Sequence, residues 1–177
     1  MEEMKKKKKQ FSLLNVLIGV FIVFFLIYLF IPCGCPTKED AYRIICGSKL
    51  RQFINRFHAY QSENSQIPLS SQWCDSIKPF FDEEDMNEAF QCTSDPNGPC
   101  SYAMNENIPA DANELPGDLV LLFESKPGWN RIGGPDDVIT DRHEKKNKPG
   151  ANVAFADGHV EFVEAKEIPN LRWKIEE

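Results

Sequence analysis

The sequence predicts an α+β fold: an N-terminal transmembrane helix, then an amphipathic helix packed on a small antiparallel sheet with a C-terminal β-hairpin. Three observations predict it, namely an uncharged apolar run, a capped helical stripe after it, and alternating apolar residues around one Asp-Gly pair. The 177 residues give room for one compact domain and an appendage.

The apolar run covers residues 11–31, which are 21 residues without a charge. As a helix the run would span about 31 Å, which matches the hydrocarbon core of a bilayer. Residues 5–9 are all lysine, and such a run stays on the cytoplasmic side of a membrane. We therefore expect an anchor with the N-terminus inside and the C-terminus outside. A cleaved signal peptide is the alternative, but its apolar region normally has about 7 to 15 residues.

A second helix is expected to begin near Thr37 and to end near Asn64. Thr37 stands three residues before Asp40, which is the spacing of a capping box. The apolar residues that follow recur at helical spacing; they are Leu50, Phe53, Ile54, Phe57 and Tyr60. The predicted organisation is a basic tail (1–10), a transmembrane helix (11–32), a linker with the amphipathic helix (33–64) and an extracytoplasmic α+β domain (65–177).

The rest of the chain contains short elements separated by loops. Residues rich in Pro, Asn, Asp and Ser predict two short helices, over 72–81 and 83–89. Residues 118–123 form an apolar run typical of a buried strand, and a long loop follows.

The C-terminal hairpin is predicted around Asp157 and Gly158, a pair that favours a two-residue type I′ turn. This turn pairs residue 155 with 160 and residue 153 with 162. It places Val153, Phe155, Val160 and Phe162 on the face that covers the amphipathic helix, and Asn152, Ala154, Ala156, His159 and Glu161 on the other face.

The six cysteines favour disulfides, because most of the chain is expected outside the cytoplasm. Four disulfide candidates follow the membrane-exit cysteines and allow three pairings; they are Cys46, Cys74, Cys92 and Cys100. A zinc cluster is the weaker interpretation, since no C-x-x-C pair has a partner at zinc spacing.

The charge of the chain argues against nucleic acid as a partner. The formal net charge is −7, and beyond residue 9 it is about −10 because the lysine run is excluded. An acidic domain repels phosphate, so we expect no nucleic-acid binding.

Several motifs together resemble one branch of the pilin-like proteins. The motifs are Cys46-Gly-Ser-Lys-Leu-Arg-Gln52, Phe90-Gln-Cys-Thr-Ser-Asp95, Ser101-Tyr-Ala-Met-Asn105, Leu119-Val-Leu-Leu-Phe-Glu-Ser125 and Gly150-Ala-Asn-Val-Ala-Phe-Ala-Asp-Gly-His-Val-Glu-Phe162. With an apolar helix that opens on Phe11, they resemble the type IV pilins and type II secretion pseudopilins that carry a C-terminal His-x9-Asp-Gly signature. The matching signature residues are His143, Asp157 and Gly158.

Two departures from the family pattern affect what the resemblance implies. Gln10 stands where the family has the glycine that precedes the cleavage site at Phe11, and Asn15 replaces the intramembrane glutamate. An uncleaved chain never exposes the ammonium that such a glutamate compensates, so we expect an unprocessed leader and no entry into a pilus-like filament. In addition, thirteen residues separate His143 from Asp157 instead of nine.

The resemblance implies a structural or assembly protein of a type II secretion or type IV pilus-like system in the bacterial inner membrane, with a periplasmic C-terminal domain. Its expected partners are membrane lipid and other envelope or pilin-like proteins. The alternative is a membrane-tethered binding module for calcium or an envelope polymer. An enzyme is not expected, because no nucleophile motif or phosphate-binding loop is present.

Calcium is the one metal with a candidate site, since major pseudopilins bind it in a C-terminal loop. Asp136, Asp137 and Asp141 lie in a glycine-flanked loop and offer hard oxygen ligands. A solvated acidic loop is the simpler interpretation. Zinc on His143 and His159 with Glu124 or Asp157 is less favoured, and Asp157 and Gly158 are explained by the turn alone.

Overall fold

The computed structural model describes residues 13–30, 37–82, 86–109 and 114–175. The chain divides into two compact units, Met1–Cys35 and Pro36–Glu177.

In the first unit, helix α1 spans Leu13–Phe30 and has 18 residues. Such a helix rises about 27 Å, which is less than the roughly 30 Å hydrocarbon core. In the part of the chain that the structure describes, no helix has the length and apolar character needed to cross a membrane. The predicted N-terminal transmembrane helix and the predicted single-pass inner-membrane location are therefore wrong. The prediction relied on 21 residues, of which Phe11, Ser12 and Ile31 lie outside the described residues.

In the second unit, helix α2 spans Lys38–Asn64, as predicted. The Thr37 hydroxyl accepts a hydrogen bond from the Asp40 backbone N–H at 3.1 Å, and the Asp40 carboxylate accepts one from the Thr37 backbone N–H, so the capping box is present. The helix is capped after Asn64 by Ser65, whose φ of 57° lies in the left-handed region. Its buried face consists of Cys46, Leu50, Phe53, Ile54 and Phe57.

Four short helical segments lie between α2 and the sheet in the described residues. Helix α3 spans Trp73–Ile77, with single 3-10 turns before it at Ser70–Gln72 and after it at Lys78–Phe80. Helix α4 spans Met86–Ala89. Both short helices lie within the regions predicted for them. Trp73 is fully buried and its ring packs edge-on against Phe53 of α2, so α3 closes one end of the core.

The sheet is mixed and has six strands, which corrects the prediction of a small antiparallel sheet. The strand order is β3-β1-β2-β5-β4, and β6 pairs with β5. The pairing of β1 with β3 is parallel, and the other pairings are antiparallel. The strand bounds are β1 Tyr102–Asn105, β2 Val120–Glu124, β3 Ile132–Gly133, β4 His143–Lys145, β5 Lys148–Phe155 and β6 Val160–Glu164.

The β5–β6 hairpin forms where it was predicted, but its register and turn type differ. Ala154 pairs with Val160 and Val153 with Glu161, which is one residue away from the predicted pairing. Only Gly158 has a positive φ in this turn, at 92°, whereas a type I′ turn requires two. The residue pair with two positive φ values is Lys146 and Asn147, at 54° and 60°, and it joins β4 to β5.

The two faces of the sheet are also exchanged relative to the prediction for β5. Ala154 packs in the core beneath α2, whereas Val153 and Phe155 pack in a second core on the opposite face. Ile168 and Trp173, from the C-terminal segment, cover that second face. A one-residue change of register reverses the side chains of one strand relative to its partner, so the face assignment is wrong for β5. On β6 it is right, because Val160 packs against the core beneath α2 and the Phe162 ring lies under Arg43 of α2.

Candidate functional site

The sheet topology brings Glu124 and His143 together. Gly150 of β5 pairs with His143 of β4 on one edge and with Glu164 of β6 on the other edge. Since β6 occupies one edge of β5, β2 and β4 share the opposite edge, and β2 pairs there with the later residues of β5. The last residue of β2 and the first residue of β4 therefore meet beside the middle of β5.

Glu124 is fully buried and its carboxylate is held by Asn152 of β5. Oε2 accepts the backbone N–H of Asn152 at 2.9 Å, and Oε1 accepts from the Asn152 side-chain Nδ2 at 3.0 Å. The same Nδ2 also donates to the Arg43 carbonyl of α2 at 2.9 Å. His143 Nε2 lies 3.2 Å from Oε1, so the carboxylate has three partners. These contacts fix the position of Glu124, because a buried carboxylate is stable only with such donors.

A disulfide between Cys46 and Cys92 lies against this pair. It joins α2 to the segment after α4, and the Cα atoms are 5.4 Å apart. His143 Nε2 is 3.3 Å from Cys92 Sγ, and Cys46 Sγ accepts the Thr93 backbone N–H at 3.2 Å. We name the four side chains Cys46, Cys92, Glu124 and His143 the buried cluster. Their potential ligand atoms all lie within 4.8 Å of one another.

The buried cluster is shielded from solvent. Cys46, Cys92 and Glu124 are 0% exposed and His143 is 3% exposed. The Tyr102 hydroxyl lies beside it and donates a hydrogen bond to the Cys46 carbonyl oxygen at 3.3 Å. Burial, followed by the charge of Glu124, raises the pKa of Tyr102 well above its usual value, so the phenol stays neutral. The ring atom His143 Nδ1 is buried and has no hydrogen-bond partner.

The other two disulfide candidates, Cys74 and Cys100, are free and buried. The Asn130 backbone N–H donates to Cys74 Sγ at 3.4 Å. Burial, followed by contact with Cys100, raises the pKa of the Cys74 thiol, so this thiol stays protonated. Among the four candidate cysteines the structure contains one disulfide, Cys46–Cys92.

The acidic residues proposed for calcium do not converge. Both carboxylate oxygens of Asp137 are engaged, one by Arg131 at 3.1 Å and one by the Gly134 backbone N–H at 3.1 Å. Asp137 thereby closes its own turn. Within the described ranges, Asp136, Asp137 and Asp141 do not form a group of side chains close enough to share a metal ion. The geometry gives calcium at these residues no support.

The signature residues His143 and Asp157 lie near opposite ends of β5. His143 pairs with Gly150, and the seven residues from there to Asp157 extend about 23 Å as a strand. Asp157 is exposed and binds its neighbour His159, accepting both the backbone N–H at 3.0 Å and a ring contact at 2.5 Å. Gly158 supplies the positive φ of the turn. No common role for His143 and Asp157 in one site is possible at this separation.

The leader residues Gln10 and Phe11 lie outside the described residues, as do Cys33 and Cys35. Asn15 lies in α1 and is exposed. The predictions about cleavage therefore remain predictions.

Asn152 is the site residue that sequence reasoning missed, because the predicted register placed it on the face away from α2. Its signal was a polar residue within the apolar run of β5. A polar residue that is buried in a strand needs partners, and Asn152 finds them in Glu124 and Arg43.

No protein-family model matches the chain, and no curated protein or solved structure is significantly similar to it. The resemblance to pilin-like proteins rests on the quoted motifs alone.

Proposed function

We propose that this protein is a pseudopilin-like structural or assembly component that associates with copies of itself through α1. The observation that carries the proposal is the surface of α1. Every described side chain from Asn15 to Tyr28 is exposed, and the large apolar side chains are between 46% and 73% exposed. Exposed apolar area of this extent marks an interaction surface.

The apolar character of α1 favours a bundle of like helices over a single groove. Apart from Asn15 and Gly19, residues 15–28 of the sequence are all apolar or aromatic. A helix that is apolar all round needs cover on every side, which a groove on one partner does not give. A Cβ added at Gly19 would meet nothing within 4 Å, so this position leaves room for a neighbouring helix to approach closely.

The second unit supports a structural role. The four side chains of its buried cluster are enclosed, so they serve contacts within the unit. The disulfide and the Glu124 contacts tie α2 to the sheet, which makes the unit suitable as a rigid body carried by an association helix.

The test is sedimentation velocity of the full chain at several concentrations. We expect a discrete multimer for the natural sequence and a monomer for the double variant Phe21→Glu and Phe25→Glu, whose rings stack on one side of α1. The matched control is Leu69→Glu, which places the same charge on an exposed apolar residue of the second unit and should leave the multimer intact. A monomeric natural chain, or a double variant that keeps the multimer, contradicts the proposal.

A further inference from the structure

We propose that the buried cluster is a zinc site when the Cys46–Cys92 bond is reduced. The ligands would be the two cysteine Sγ atoms, Glu124 Oε1 and His143 Nε2. The same four side chains then have two alternative states, a disulfide with a neighbouring acid–histidine pair or one four-coordinate metal centre.

The distances fit a tetrahedral ion. Zinc–ligand bonds of about 2.0 to 2.3 Å place neighbouring ligand atoms of a tetrahedron about 3.3 to 3.8 Å apart. His143 Nε2 is 3.2 Å from Glu124 Oε1 and 3.3 Å from Cys92 Sγ, and all four ligand atoms lie within 4.8 Å. Opening the disulfide separates the two sulfurs, and that movement is the main adjustment that the ion requires.

The surroundings also suit a metal centre. Asn152 holds both oxygens of Glu124, and the Thr93 backbone N–H points to Cys46 Sγ. Such outer hydrogen bonds orient the ligands of a metal and stabilise thiolate charge. By contrast, a disulfide is uncharged and needs neither an acid nor a histidine beside it. The burial of Glu124 and His143 against the sulfurs costs free energy that a disulfide alone does not offset.

The ligand set selects the metal. Two thiolates, one imidazole and one carboxylate favour zinc over the hard cations calcium and magnesium. Four protein ligands leave no open position, so the site would be structural.

The two states exclude each other chemically. A thiol reductant supplies two electrons and two protons and becomes a disulfide itself. A phosphine supplies two electrons and becomes a phosphine oxide, and water supplies its oxygen and the two protons. In both cases the S–S bond breaks and two thiols form. Zinc then replaces the two thiol protons, which are released to solvent, and the metal keeps its oxidation state. The disulfide is the state of an oxidising compartment and the zinc centre the state of a reducing one.

The experiment measures zinc bound to the full chain. The protein is reduced under argon with a phosphine, loaded with zinc, passed through a desalting column and analysed for metal. We expect about one zinc per chain for the reduced natural sequence and none for the oxidised one. Cys46→Ser and His143→Gln should each weaken zinc binding at least about tenfold, measured by competition with a chromophoric chelator. The matched controls are Cys100→Ser, which removes a buried free thiol, and His159→Gln, which removes an exposed histidine.

A second measurement does not depend on the folding of a variant. Cobalt in place of zinc should give thiolate charge-transfer and tetrahedral absorption bands with the reduced natural chain, and neither band with the oxidised chain. The proposal is overturned if the reduced natural chain takes up no zinc. It is equally overturned if both ligand variants retain the affinity of the natural chain, or if Cys100→Ser loses as much affinity as Cys46→Ser.

Discussion

Two acid–histidine pairs flank strand β5, and they differ almost completely in their surroundings. Glu124 and His143 are both 0% exposed in their side chains and are 3.2 Å apart. Asp157 and His159 are 51% and 47% exposed and are 2.5 Å apart. The shorter contact, between Asp157 and His159, is therefore the solvent-exposed one.

Burial, and not distance, sets how much such a pair contributes to the stability of the fold. An exposed ion pair contributes about 0 to 1 kcal/mol because water screens it and two side chains lose freedom. In a buried pair, removal of one partner leaves the other buried without a partner or water, which lowers the free energy of unfolding by about 3 to 5 kcal/mol. The longer contact at Glu124 should thus be much the more important to the fold.

The largest effect is expected from Glu124→Ala. It removes the acceptor for both N–H groups of Asn152 and the partner of His143, so the free energy of unfolding should fall by about 3 to 5 kcal/mol. Denaturant unfolding measures this, with Asp157→Ala as the control. Equal losses in the two variants would contradict the comparison.

A smaller effect is expected from the double variant Cys46→Ala and Cys92→Ala. The disulfide joins residues 46 positions apart, so its removal from the oxidised chain should cost about 2 to 4 kcal/mol. It should also change the effect of Glu124→Ala by about 0.5 to 3 kcal/mol, since groups in one cluster are coupled. The effect of Asp157→Ala should be the same in both backgrounds, and a change there would show that the coupling is not local.

The smallest effect is expected from Asp157→Asn, and it depends on pH. The His159 backbone N–H, followed by the His159 side chain, lowers the pKa of Asp157 below its usual value. A lowered folded-state pKa stabilises the fold above the ordinary aspartate pKa of about 3.9, and this contribution is lost as the pH falls through the folded-state pKa. The variant should therefore be less stable than the natural chain by under about 1 kcal/mol at neutral pH. The difference should shrink below about pH 4, and thermal unfolding from pH 7 to pH 3 checks it; a difference that grows on acidification would refute the assignment.

Sequence reasoning succeeded where the information is local. The capping box at Thr37 and the apolar run of β2 are each contained in a few neighbouring residues, and the structure has both. The position of the last hairpin followed from its Asp-Gly pair for the same reason. The register of that hairpin did not follow, because an Asp-Gly pair is compatible with two loops. The predicted loop has two residues, both with positive φ, whereas the observed loop has three residues, of which only Gly158 has a positive φ.

The rest depended on distant parts of the chain. Val153 and Phe155 turn away from α2 because Ile168 and Trp173 offer a second apolar surface, which no pattern within β5 reveals. The buried cluster draws its members from α2, the segment after α4, β2 and β4, so its assembly required the strand order. The transmembrane prediction relied on a run of 21 residues, whereas the described helix α1 has 18 residues.

The tight turn at Lys146–Asn147 has a consequence for how this chain can vary in length. His143 lies three residues before that turn, on a strand whose side chains point alternately up and down. Two residues added at the tip, one per strand, lengthen the hairpin by one pair and leave the pairing of His143 with Gly150 unchanged, so the histidine stays beside Cys92 Sγ. Insertions of an even number of residues at this tip should therefore be tolerated, whereas an odd number cannot lengthen both strands equally and requires a bulge or a different turn.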